Sequence, residues 1–355
     1  MQLAYGTRRP GAVTGTDLTS SLEDPQRARA FLSEHRLFEP TEAVHIEVLT
    51  GGVSSLVLRA SGSVRCVVLK QALAQLRVHD DWRSRVERST IEAHCAQVLS
   101  ELVPGNVPET LAVDEARHTF VMECAPDGSA NWKVQLMGGV VESASAAQAG
   151  RLLGRIHASS AGREDLAMEF EDRSFFDELR IDPYLRTLAM RHPDLARRIE
   201  RMVEDHLRTR VCLVHGDYSP KNLLVAPDGR LILLDHEVAH WGNPAFDCAF
   251  VLNHLCLKAL KFPVHAEDYL RSAQVLWESY QAENTRETGR GLELETAELL
   301  GGLMLARVDG KSPVEYLVSE QERERVRSLA RRLVGDPESS VHNVFQRVAQ
   351  QAKDA

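Results

Sequence analysis

Two carboxylates and one amide, crowded into a short stretch, set the chemistry open to this chain. The run Leu213-Val214-His215-Gly216-Asp217-Tyr218-Ser219-Pro220-Lys221-Asn222 is followed by Asp235 at the end of an apolar segment. Asp217 can accept a proton, Asn222 can hold a cation, and Asp235 offers that cation a second ligand. Between the last two, Leu223-Leu224-Val225-Ala226 reads as a strand, Pro227-Asp228-Gly229 as a turn and 230–234 as the returning strand. A hairpin is stiff, so Asn222 and Asp235 fall at neighbouring strand ends. Phosphoryl transfer asks for this arrangement: metal ligands pinned around a polyphosphate, and a separate base facing the acceptor hydroxyl.

The same residues carry a family likeness. His215-Gly216-Asp217 with Asn222, then Asp235, resembles the catalytic core of the aminoglycoside phosphotransferase and choline kinase superfamily, small-molecule kinases with the protein-kinase fold. The resemblance implies ATP as donor, Asp217 as catalytic base, Asn222 and Asp235 as Mg²⁺ ligands, and His215 as a buttress of the loop. It also implies an α+β, two-lobed architecture, with a small antiparallel sheet and one helix ahead of a larger, mainly helical lobe. A catalytically silent nucleotide-binding module of the same fold is the alternative, and the joint presence of Lys70, Asp217, Asn222 and Asp235 speaks against it.

A second motif overlaps the first. His236-Glu237-Val238-Ala239-His240 matches the H-E-x-x-H pattern of zinc hydrolases, which needs both histidines one turn apart on a helix. A β-type run enters the motif and Trp241-Gly242-Asn243-Pro244 leaves it, so a helix there is not expected.

At 355 residues with 43% hydrophobic content, the chain can bury one large core or two lobes. A formal charge of −9 argues against non-specific nucleic-acid binding, which draws its affinity from basic surface. No apolar run reaches the length of a bilayer span and the first twenty residues lack an apolar signal core, so the expected setting is cytoplasmic, without membrane partners. Six scattered cysteines without C-x-x-C spacing are then expected as buried free thiols.

The patterning divides the chain into an extension (1–39), a first lobe (40–124) and a second lobe (125–355). Strands are expected at 45–49, 56–60, 64–70, 110–113 and 119–123, with a helix across 80–102. Ala125-Pro126-Asp127-Gly128-Ser129 reads as the connector. Helices are expected near 144–159, 180–190, 193–207 and 247–260, and from 267 to the end.

Gly51-Gly52-Val53-Ser54-Ser55 lies between two strands, which excludes a Walker loop or a dinucleotide fingerprint. Glycines at a hairpin tip let backbone N–H groups approach anionic oxygens. The segment resembles the short Gly-Gly-x-Ser form of aminoglycoside-type kinases, in which Gly51, Gly52 and the hydroxyl of Ser54 or Ser55 would meet phosphate. The resemblance further makes Lys70 the phosphate-gripping lysine, fixed by Glu92 or, second, Glu87. It places Glu123 and Ala125 at the adenine edge, and Val68 and Leu224 across its faces. Asp247 opens an apolar helix, where a carboxylate is first a helix-start residue, and the resemblance implies that it also braces the catalytic loop through backbone N–H groups.

For the acceptor, a small molecule bearing a hydroxyl group, two segments stand out. Trp132 and Lys133 follow the connector, and 306–313 offers Arg307, Asp309 and Lys311 in a Gly- and Pro-containing break between helices. The basic residues make a neutral or anionic compound at least as fitting as a polycationic one.

Overall fold

The computed structural model describes residues 21–49, 54–75, 84–285 and 290–354. The first lobe is a five-stranded antiparallel sheet in the order β1-β2-β3-β5-β4: His45–Val48, Ser55–Ser61, Cys66–Ala72, Thr119–Glu123 and Thr110–Asp114. Alternation in β2 and β3 turns Leu56, Leu58, Val67 and Leu69 into one apolar cluster with Phe31 and Leu32 of α1 (Pro25–Glu34). Asp24 caps α1 by accepting a hydrogen bond from the Gln26 amide, and Pro25 occupies the first turn, where its missing N–H costs nothing. The helix α2 runs Arg88–Leu102, shorter than expected at its start, and buries Glu92.

One expectation about the cysteines fails. Cys66 and Cys124 form a disulfide, whereas Cys95, Cys212, Cys248 and Cys256 are free and buried. Sequence separation hides the pair. The β3–β5 register sets Val67 opposite Glu123, so the next residues outward, Cys66 and Cys124, meet where the sheet ends.

Beyond the connector come β6 (Ala130–Asn131), α3 (Trp132–Met137) and α4 (Ser143–Ser160). Helix Ala245–Lys261 is buried along almost its entire length, packed against Ala266–Glu283, Arg290–Asp309, Glu320–Gly335 and Val341–Lys353. Its apolar composition all round suits this central place. The helix α4 lies close against Ala266–Glu283. A Cβ on Gly150 would fall 2.1 Å from the Leu276 carbonyl oxygen, so only glycine fits.

Residues 177–186, expected to enter an α-helix at 180, instead form a π-helical segment with Pro183 inside it. Proline cannot donate in an i→i−4 ladder, and the wider turn absorbs that loss. No helix among the described residues is long and apolar enough to cross a membrane.

Candidate active site

Two small β units carry the site. Strand β7 (Cys212–Val214) pairs with β10 (His240–Gly242), and β8 (Leu223–Val225) pairs with β9 (Leu231–Leu233) to form the expected hairpin. Between them the loop 215–222 is over-determined. Asp247, fully buried, accepts from the amides of His215 at 2.7 Å and Gly216 at 2.8 Å, and lies 3.3 Å from the His157 ring. It sits at the start of helix Ala245–Lys261, so the loop is fastened to the core helix of the lobe. Gly216 has φ +76°, and a Cβ there would meet the Val238 carbonyl oxygen at 2.8 Å. His215 accepts from the Asp217 amide through Nδ1 and places Nε2 3.2 Å from the Leu234 carbonyl, tying the two halves together.

Within this frame Asp217 is surrounded by donors. Asn222 Nδ2 donates to its Oδ2 at 2.8 Å, while Arg180 and Lys221 each approach Oδ2 at 2.9 Å. Burial alone would raise the Asp217 carboxyl, but Arg180 and then Lys221 outweigh it and hold the group below the usual carboxylate range. The Leu234 amide donates to the Asn222 carbonyl at 2.9 Å, which brings Asp235 beside Asn222, as the hairpin predicts. Asp235 adopts φ +71°, a costly conformation for a non-glycine residue that the surrounding contacts must sustain.

The two lobes meet at Lys70. Its ammonium pairs with Glu92 and also with Asp235 at 2.9 Å, so one side chain of β3 bridges α2 and the far end of the hairpin. Of the two partners proposed, Glu92 is chosen over Glu87. Burial opposes the Lys70 charge, yet Asp235 and Glu92 more than compensate and keep it protonated. The same ammonium is the largest influence holding the Asp235 carboxyl low against its own burial.

Lys70, Arg180, Asp217, Lys221, Asn222 and Asp235 line one cavity of about 780 Å³, together with Ser54, Ser55, Val68, Glu123, Ala125 and Leu224. Gly51 and Gly52 lie outside the described residues. Of the residues expected to meet the acceptor, Lys133 and Arg307 also line it. Three other expectations fail. Trp132 is buried in the second-lobe core. Asp309 pairs with Arg327 at 2.9 Å and His192 at 3.0 Å, and Lys311 reaches Asp182 at 3.0 Å. The segment 306–313 is not one loop, because the helix continues to Asp309. Two residues along a helix point about 200° apart, so Arg307 and Asp309 cannot share a face.

The H-E-x-x-H pattern does not form a zinc site. Its residues turn into β10 instead of continuing as a helix. His240 stacks on Phe176 at 4.0 Å, and His236 meets the edge of His215. Glu237 pairs with the buried guanidinium of Arg88 at 3.0 Å. Arg88 also donates to the carbonyls of Ser54 and Leu73, so it links the serine segment to the strand-end carboxylates.

Sequence reasoning missed Arg180, Tyr184, Arg88 and Glu237. Arg180 comes from the π-helical segment, where it donates to the Gly216 carbonyl at 3.0 Å besides pairing with Asp217. The only advance signal was a proline set within an otherwise helical pattern.

The donor set suits a divalent cation. Asn222 makes its hydrogen bonds through Nδ2, so its Oδ1 carries none among the described residues, and the Asp235 carboxylate stands at the same strand-end junction. Hard oxygen ligands of this kind favour Mg²⁺ or Ca²⁺ over zinc.

A two-lobed α+β scaffold with a carboxylate-centred interlobe cleft defines the kinase-like class. The chain belongs to the phosphotransferase enzyme family, whose model matches residues 45–282. Among solved structures, the macrolide 2'-phosphotransferase of Brachybacterium faecium is 19% identical with a TM-score of 0.52, over 89% of this chain and 99% of that one. An amicoumacin kinase in complex with AMP-PNP and Ca²⁺ is 14% identical with a TM-score of 0.53, over 92% and 99%. A choline/ethanolamine kinase family protein of Mesorhizobium loti is 17% identical with a TM-score of 0.50, over 93% and 99%. At such identities the likeness is one of fold. No curated protein matches the chain by sequence.

Proposed function

We propose that this small-molecule phosphotransferase is an ATP- and Mg²⁺-dependent O-kinase, moving the γ-phosphate to a hydroxyl of its acceptor. The observation that carries this reading is the convergence of Asp217, Asn222, Asp235 and Lys70 on one cavity, with Lys70 held in turn by the buried Glu92. In this reading 40–124 is the nucleotide lobe and 125–355 carries the catalytic loop and acceptor wall. Ser54, Ser55 and Lys70 receive the phosphates, as do Gly51 and Gly52 just before them in the sequence. Val68 and Leu224 enclose the base, whose edge meets the backbone at Glu123 and Ala125.

Asn222 and Asp235 would hold Mg²⁺, which draws charge from the phosphate oxygens when bound. Lys70 neutralises the leaving oxygen, and Glu92 keeps its stem directed into the cleft. Asp217, ionised and held low by Arg180 and Lys221, is a weak base. Its work is therefore to orient the acceptor hydroxyl and take the proton late, as a loose transition state requires. Lys221 is placed to meet the transferred group.

The test is ADP release over a panel of alcohols, each product confirmed by the mass of its phosphate ester. Asp217→Ala is expected to lower turnover by at least about 100-fold while Mg·ATP binding persists. Asp235→Ala is expected to weaken Mg·ATP binding itself. Near-normal turnover in Asp217→Ala would remove the proposed base.

A further inference from the structure

The acceptor end of the cleft holds more positive charge than its carboxylates answer. Arg180 and Lys221 are both committed to Asp217. Lys133 pairs with Glu315, a carboxylate whose side chain is two-thirds exposed. Two further cations have no carboxylate within ion-pair distance among the described residues. Arg307 lines the cavity and donates through Nη1 to Tyr184 Oη at 2.9 Å and to Ser312, while its buried Nε has no partner. Lys258 is completely buried on the core helix just behind the cavity wall. Among the described residues its ammonium donates to the His254 carbonyl, at 3.3 Å, and lies over the Tyr316 ring, 5.1 Å from its centroid.

Such a cluster is costly as it stands. A buried ammonium without a counter-charge loses its hydration and gains little from one carbonyl and one ring face. Burial, and then the neighbouring Lys133, push Lys258 down to about 7. His254, one turn earlier on the same helix, is also lowered by burial, and then by Lys258 and Arg307, so its ring stays neutral and supplies no counter-charge. The facing groups from other elements are Lys133, Arg307, Tyr316 and Glu315, and only the last is acidic. An incoming oxyanion would pair with the Arg307 guanidinium, relieve the repulsion with Lys133 and give Lys258 a counter-charge.

We infer that the acceptor is an anionic hydroxyl compound, a hydroxycarboxylate or a phosphate monoester. Its oxyanion sits between Arg307 and Lys133, backed by Lys258, with its hydroxyl at Asp217. This rests on the O-kinase reading and deepens it. Tyr184 connects the two ends of the pocket, since it accepts from Arg307 and lies on the same π-helical segment as Arg180. The same cations would repel choline and polycationic aminoglycosides.

Two measurements test this. The first compares kcat/KM for matched alcohols under Mg·ATP: 4-hydroxybutyrate against 1,4-butanediol, glycerate and glycerol 3-phosphate against glycerol, with choline and kanamycin as cations. An anionic member is expected to lead its neutral counterpart by on the order of 100-fold. Glycerate against glycerol 3-phosphate decides between carboxylate and phosphate. The second is equilibrium binding of malonate and of inorganic phosphate to protein saturated with Mg·AMP-PNP, which fills the nucleotide site.

Arg307→Gln and Lys258→Met are each expected to weaken that binding about tenfold or more. Lys258→Met should hold or raise the melting temperature, which separates anion binding from a structural role. The inference is overturned by fastest transfer to choline, kanamycin or a neutral alcohol, by no saturable anion binding, or by binding undiminished in both variants. Transfer to a neutral or cationic alcohol leaves the kinase reading standing. Failure of Mg·ATP to bind removes that reading, and the anion site is then judged on the protein without nucleotide by the same variants.

Discussion

Replacing Arg180 by Met removes the cation that most stabilises the ionised Asp217 and leaves the methylene bulk in place. The guanidinium lies 2.9 Å from Asp217 Oδ2, and its side chain is only 9% exposed. For unit charges about 4 Å apart at an effective dielectric near 20, the attraction is about 4 kcal/mol, the worth of roughly three pK units. Lys221 remains at 2.9 Å but its side chain is 45% exposed, so solvent screens much of what it can restore. The carboxyl lies below its ordinary value in the fold, so its charged form adds stability above the unfolded pKa, and that stability is lost as pH falls. Without Arg180 burial prevails and the carboxyl rises. The acid limb of the kcat/KM profile is expected to move up by about one to two pH units. Unfolding free energy at neutral pH should drop by about 3 kcal/mol, since breaking a buried pair strands a charge. ADP release across pH, with an accepted alcohol or water as acceptor, and urea unfolding read the two effects. Arg180→Lys, which keeps charge but loses the fork to the Gly216 carbonyl, should fall between. An unmoved acid limb together with an unchanged urea midpoint would refute the ion-pair argument.

Other outcomes follow from buried groups and close contacts. Burial holds His206 down at about 3 and His240 at about 4, so the unfolded chain takes up protons first as pH falls below 6.5. Each should therefore cost about 2 kcal/mol between pH 7 and pH 5; a urea midpoint that is flat over this range contradicts the assignment of neutral buried rings. Gly150→Ala would set a methyl against the Leu276 carbonyl oxygen and force α4 from its partner helix. A loss of about 1–3 kcal/mol is expected in urea unfolding, and wild-type stability would show that the contact yields freely.

The loop 215–222 was legible because its geometry is local. A strand, a turn and a strand fix where Asn222 and Asp235 end, and Asp217 sits five residues before Asn222 in the same loop. Lys70 and Glu92 were legible for a related reason: a strand followed by one helix leaves few ways to bring a lysine to a glutamate. What failed depended on distant packing. Lys311 and Asp309 were grouped with Arg307 by polarity, but helix phase turns Asp309 to Arg327 and His192. Trp132 follows Asn131, whose side chain caps α3, and this fixes the indole toward the core. Arg180 reaches Asp217 only through a π-helical turn that no apolar period announces, and the Cys66–Cys124 pair depends on a strand register set by residues far apart.

That covalent link bears on how the cleft can open. The link closes a ring running from β3 through α2 and β4 to the end of β5, and its seam lies at the entrance to the connector 125–129. Shear between β3 and β5 is thereby blocked, and the Lys70–Glu92 ion pair ties α2 to β3. Any parting of the lobes would have to separate Lys70 from Asp235 and Arg88 from Glu237, the two buried ion pairs across the gap.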